Sequence, residues 1–145
     1  MKEFTMLRLL NRCTVLTLAG LLVGIAGLVV QWIADPAKFA AARDTFGLPF
    51  PPGIAFIVAA GVLVLVTARW WWHAVFGAFI GLWIVGAGSL ANQLQPNLVS
   101  PNPGTVAGTV VMATGLAFGT VTSVLSMVSA FRVRRTVRTS GTIPT

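Results

Sequence analysis

Apolar residues run through this chain in four long stretches, separated by short polar connections, and no Asp, Glu, Lys, Arg or His falls inside any of the four. About 20 apolar residues suffice to cross the hydrocarbon core of a bilayer as a helix, so the stretches at 14–33, 52–68, 74–90 and 105–131 predict four transmembrane helices. They leave residues 1–13 as an N-terminal segment, 34–51, 69–73 and 91–104 as connections, and 132–145 as a basic tail whose last few residues are expected to be disordered. A single helix over the second and third stretches would be about 55 Å long, nearly twice the hydrocarbon thickness. The chain must therefore reverse near Trp70, Trp71 and Trp72.

The connections carry their own signals. Asp35 and Pro36 resemble an N-cap followed by proline at the first helical position, and Gly47 supplies a stop, which predicts one short helix over 36–46. Phe39 and Phe46 share one face of it while Lys38, Arg43 and Asp44 lie elsewhere, the pattern of a helix lying in the membrane interface. Pro49, Pro51 and Pro52 then predict a stiff, extended lead into the second span. The third connection is polar and uncharged, with Asn92, Gln93, Gln95, Asn97 and Asn102 among three prolines, and reads as a rigid irregular loop.

Composition and charge sharpen this into a topology. Of the 145 residues 56% are hydrophobic and 9% charged, with mean hydropathy +0.87, whereas soluble domains are about one quarter charged. Eight of the ten Lys and Arg flank one side: Lys2, Arg8 and Arg12 before the first span, Arg69 in the Trp turn, and Arg132, Arg134, Arg135 and Arg138 after the fourth. Only Lys38 and Arg43 lie on the other. The positive-inside rule then places both termini and the Trp turn in the cytoplasm. The preference for Arg over Lys, with abundant Ala, Gly and Val, fits a GC-rich bacterial genome and hence a multi-pass protein of the bacterial cytoplasmic membrane. The net charge of +7 is accounted for by topology, and no water-soluble basic face with interleaved aromatics points to nucleic acid. Lys2, Arg8 and Arg12 resemble the start of a signal peptide, but the apolar run is too long and lacks a small-x-small cleavage site, so it reads as an uncleaved span. Cys13 stands alone, which excludes intramolecular disulfides and paired-thiol redox chemistry, and reads as a buried inert thiol.

Small residues are the strongest pattern within the spans. Gly108, Gly115 and Gly119 with Thr122 and Ser126 form a row on the fourth span, Gly20 and Gly24 recur on the first, and Gly77, Gly81 and Gly88 on the third. Such residues let helix backbones approach closely in lipid, so these ten are expected to form helix-packing or partner interfaces. Trp32, Trp70, Trp71 and Trp72 are expected to anchor the chain at the membrane boundary, with Gln31 beside Trp32 in the same ring. Trp83, in mid-span, is expected to fill space beside the glycines. The tail arginines Arg132, Arg134, Arg135 and Arg138 are expected to contact anionic lipid.

Missing residues narrow the chemistry. A small multidrug antiporter resembles this chain in size and span count, but it relies on a membrane glutamate for proton coupling, and none is present here. Carboxylates for a divalent metal would have to come from Glu3, Asp35 and Asp44, which are dispersed along the chain. His73 is the only histidine, too few for a multi-histidine metal or haem site, and reads as a structural residue at the interface. The expectation is an all-α, four-helix membrane bundle without enzymatic activity, cofactor or metal. Its partners are membrane lipids and either a membrane protein or further copies of itself, and it serves as an accessory or assembly subunit. The alternative is an oligomeric channel or uncoupled carrier for a small neutral or hydrophobic solute, lined by Thr122, Ser126 and Ser129.

Overall fold

The computed structural model describes residues 12–40, 44–45, 47, 49–90, 92 and 94–141, and among these every regular element is helical. Helix α1 is Arg12–Ala34, α2 is Pro52–Val66, α3 is Val75–Leu90, α4 is Leu94–Leu98 and α5 is Pro103–Ser140. Two of these, α1 and α5, are long and apolar enough to cross a membrane; α2 and α3 are apolar but shorter.

Local chemistry sets the ends. Pro52 opens α2 with a fixed φ suited to the first helical position and no donor to leave unsatisfied. The helix stops short of residue 68 because Thr67 turns to φ −93°, ψ 10°, and its hydroxyl donates back to the carbonyl of Leu63. Asn102 caps α5, its Oδ1 accepting from the Gly104 amide at 3.0 Å, with Pro103 next at the first helical position. No break occurs at 131: α5 continues through all four arginines to Ser140 and stops at Gly141. Its 38 residues span about 57 Å.

The longest interface runs between α1 and α5. A Cβ added at Gly20 would lie 2.7 Å from the Gly119 backbone, and one at Gly115 would lie 2.7 Å from the Gly24 amide nitrogen. The two backbones therefore touch, and only glycine fits between them. Leu21, Leu28, Ile57, Ala60, Ile80, Met112 and Leu116 form the apolar core beside this seam, drawn from α1, α2, α3 and α5. The first half of α3 packs against α5 through Gly77 and Gly81, which lie against Ser123 and Thr120. Its middle, Leu82–Ala87, widens to a π-helix in which no residue is buried.

Four expectations are corrected. The Asp35 side chain makes no capping bond to the short helix of the first connection, which opens as a 3-10 turn over Pro36–Phe39 and is α-helical at Ala40, Asp44 and Thr45; Ala41, Ala42, Arg43 and Phe46 lie outside the described residues. The third connection is not irregular throughout, since Leu94–Leu98 forms α4, where Pro96 sits in the first turn and removes no intrahelical donor. Gln31 is 2% exposed and faces Met112 and Gly108 of α5, so it belongs to the helix seam rather than to an outward ring. Trp83 does not fill space beside the glycines; it is 62% exposed and stacks on Phe79 at 6.2 Å. Residues 142–145, expected to be disordered, lie outside the described residues, as do Lys2 and Arg8.

Candidate functional site

Reversal of the chain after α2 brings residues 67–74 against the start of α1 and the body of α5, and one side chain ties all three together. His73 follows a turn in which its own amide bonds the Trp70 carbonyl at 3.2 Å, which aims the imidazole inward. Nδ1 lies 2.8 Å from the Trp70 carbonyl oxygen, which can only accept, so Nδ1 carries a proton. In the neutral ring Nε2 is then an acceptor, and it lies 2.8 Å from Thr14 Oγ1 of α1 and 3.3 Å from Ser126 Oγ of α5. Thr14 and Ser126 lie 2.8 Å from each other. With Nε2 as acceptor, the two shortest contacts are both satisfied when Ser126 donates to Thr14 and Thr14 to His73. One turn deeper, Thr17 Oγ1 is 3.1 Å from Thr122 Oγ1 and accepts from Ser123 at 3.4 Å. All six side chains are buried.

A matching tie closes the far end of the seam. While Asn102 Oδ1 caps α5, its Nδ2 donates to the Ala34 carbonyl at 3.0 Å, satisfying an orphan acceptor at the end of α1. The glycine seam is thus held by Asn102 at one end and by the Thr14–His73–Ser126 cluster at the other.

Outside that cluster the surface opens into two adjoining grooves. The larger, about 860 Å³, lies between the turn and α5, walled by Arg69, Trp70, Trp72, His73, Ser129 and Arg134. The smaller, about 550 Å³, is lined by Trp71, Phe131, Arg134, Arg135 and Arg138. Trp71 and Phe131, with ring centroids 5.5 Å apart, form the ridge near which the grooves meet, and Arg134 borders both. Residues 131, 134, 135 and 138 recur at helical spacing, which is why they share a face; Arg132 lies off it and lines neither groove. Trp70 stacks on Trp72 at 5.0 Å, stiffening the opposite wall. No carboxylate lines either groove among the described residues.

The remaining sequence-derived residues fall as follows. Gly20, Gly24, Gly108, Gly115 and Gly119 all face the α1–α5 seam. Gly77 lies against Thr17 and Ser123, Gly81 against Thr120 and Leu116, and Gly88 against Leu94 of α4. Thr122 and Ser126 are turned to α1 rather than to an open lumen, and Ser129 borders the larger groove. Trp32 sits half-buried at the opposite end of α1 from the Trp turn, and Cys13 is half-buried rather than fully enclosed.

Sequence reasoning missed Thr14, Thr17, Gly27 and the inward role of His73. Gly27 continues the spacing of Gly20 and Gly24 and packs on Met112 and Gly108, so that signal was present. The His73 cluster left none, because Thr14 and Ser126 are 59 and 53 residues away. The capping half of the Asn102 tie was readable from Asn followed by Pro; its reach to Ala34 was not. No protein-family model, curated protein or solved structure matches this chain.

Proposed function

We propose that this is a four-span membrane protein, with both termini cytoplasmic, that acts as an accessory or assembly subunit through contact with another membrane protein. Membrane immersion is supported by an inversion of the usual burial pattern. Thr14, Thr17, Gln31, Thr109, Thr122, Ser123 and Ser126 are buried, while Leu22, Ile33, Phe56, Val66 and Val121 are more than half exposed. Water rewards the opposite arrangement, whereas lipid favours polar groups turned toward other helices. The short α2 and α3 are accommodated by local bilayer thinning and by Trp70, Trp71 and Trp72 at the boundary.

The contact role rests on one observation. Phe79, Leu82 and Trp83 are each more than 60% exposed where α3 widens to its π-helix, and Gly86 beside them has nothing within reach of an added Cβ. The glycine faces of α1 and α5 are used up internally, so this aromatic face with an open small residue is the surface assigned to a partner helix. The chain's polar groups support contact over catalysis: Ser126 lies beside His73, but its hydroxyl is fully buried and does not line the groove that His73 borders. Purification in mild detergent followed by mass spectrometry is expected to recover a stoichiometric membrane partner, and Trp83→Ala to reduce that recovery several-fold. Reproducible isolation of the chain alone would reject the reading.

A further inference from the structure

We propose that the paired grooves beneath the Trp turn form a defined binding site for the headgroup of an acidic phospholipid, with Arg69 and Arg134 as its principal ligands. The proposal rests on the membrane reading above and adds a site to it.

Three observations converge on this occupant. The first is chemical: Arg69 comes from the turn and Arg134 from α5, so two guanidinium groups border one groove from separate elements, with the Trp70–Trp72 stack beside them. Guanidinium forks match phosphate oxygens, and indole rings favour the boundary between acyl chain and headgroup. Among the described residues no carboxylate lines the groove. The second is position: each headgroup layer extends about 5–7 Å beyond the hydrocarbon core. Arg134 and Arg135 stand about 4.5–6 Å along α5 past Phe131, the end of the apolar run, which sets them at phosphate depth. The third is rigidity. His73 borders the larger groove and is tied to Thr14 and Ser126, so the turn carrying Arg69 is held at a fixed distance from the helix carrying Arg134. A volume of about 860 Å³ lies within the range of about 300–1,000 Å³ found for small-ligand sites.

A diffuse basic tail would attract acidic lipid as well, and the two differ in which arginine matters. Arg132 carries the same charge on the same turn of α5 yet lines neither groove. The full-length chain, with Trp32→Phe and Trp83→Phe so that only the turn tryptophans report, is reconstituted in phosphatidylcholine vesicles. These contain a minor fraction of either brominated phosphatidylglycerol or brominated phosphatidylcholine. Trp fluorescence is expected to be quenched more strongly by the acidic lipid. Arg134→Gln and Arg69→Gln should each weaken that preference about fivefold, while Arg132→Gln leaves it near the parent value. Quenching by brominated phosphatidylcholine serves as the control that each variant is inserted and folded. Equal quenching by the two lipids, or an Arg132→Gln loss as large as that of Arg134→Gln, overturns the site and leaves the groove to a protein segment or to diffuse attraction. Removal of the preference by inorganic phosphate would assign the groove to a soluble anion instead. Quenching by neither lipid would reject the membrane reading itself, and the site with it.

Discussion

His73 shows how one side chain can substitute for several weaker contacts. Its Nδ1 is committed to the Trp70 carbonyl, which leaves Nε2 as the point where α1 and α5 meet the turn. Interhelical hydrogen bonds in membranes are worth about 0.6 kcal/mol on average and up to about 1.7. The Thr14–Ser126 contact, at 2.8 Å and fully buried, belongs toward the upper end of that range. A double-mutant cycle with Thr14→Val and Ser126→Ala, read by Trp fluorescence during unfolding in micelles, is expected to give a coupling of about 1–1.7 kcal/mol. Strictly additive losses would mean that the two hydroxyls do not act together. Thr105 is the internal contrast: its Oγ1 is buried with no hydrogen-bond partner among the described residues. Thr105→Val removes an uncompensated polar group and keeps the shape, so its stability is expected to equal or exceed that of the parent.

Between the two ties, the α1–α5 seam depends on the absence of side chains. An alanine Cβ at Gly115 would sit 2.7 Å from the Gly24 amide nitrogen and 2.9 Å from the Gly20 carbonyl oxygen, both backbone atoms that cannot rotate away. The helices must separate, at a cost of about 1–3 kcal/mol. Gly86→Ala meets nothing within 4 Å and lowers the backbone entropy of the unfolded chain, so it should stabilise the monomer by about 0.5–1 kcal/mol. Unfolding midpoints of the two variants, compared in the same detergent, should therefore move in opposite directions; a shared direction would refute the seam. The glycine spacing that makes this interface was legible in the sequence, because a helix has a fixed period and i, i+4, i+7 positions share a face. Which helix lies opposite was not, since that depends on how the connections return the chain. The turn of Gln31 toward α5 was hidden for the same reason: it follows from what a neighbouring helix presents. The continuation of α5 through Arg132, Arg134, Arg135 and Arg138 was masked by a boundary drawn on hydropathy, although arginine is a good helix former.

At the scale of the whole molecule, the polar and basic features segregate along the helix axes. The His73 cluster, the Trp turn and the arginine stripe gather at one end of the α1–α5 pair, and Asn102 marks the other, near Asp35. Charges that set topology in the proposed membrane thus also build the groove, so orientation and lipid site stand or fall in different experiments. Translocation of the arginine-rich end would carry four guanidinium groups across the hydrocarbon core, each costing about 2.5–3.5 kcal/mol at its centre on insertion scales. In the sequence, Lys38 and Arg43 are the basic residues between the first and second apolar stretches. In a Cys13→Ser background, a cysteine at the exposed position Val99 is expected to react with a membrane-impermeant maleimide in intact cells. A cysteine at Thr139, which lies past the last arginine of α5, should react only after lysis. The reverse pattern would invert the topology and move the groove to the outer leaflet. Labelling of both sites in intact cells would mean that the chain does not divide the two compartments, and the apolar surface of α2 and α3 would then have to be covered by protein.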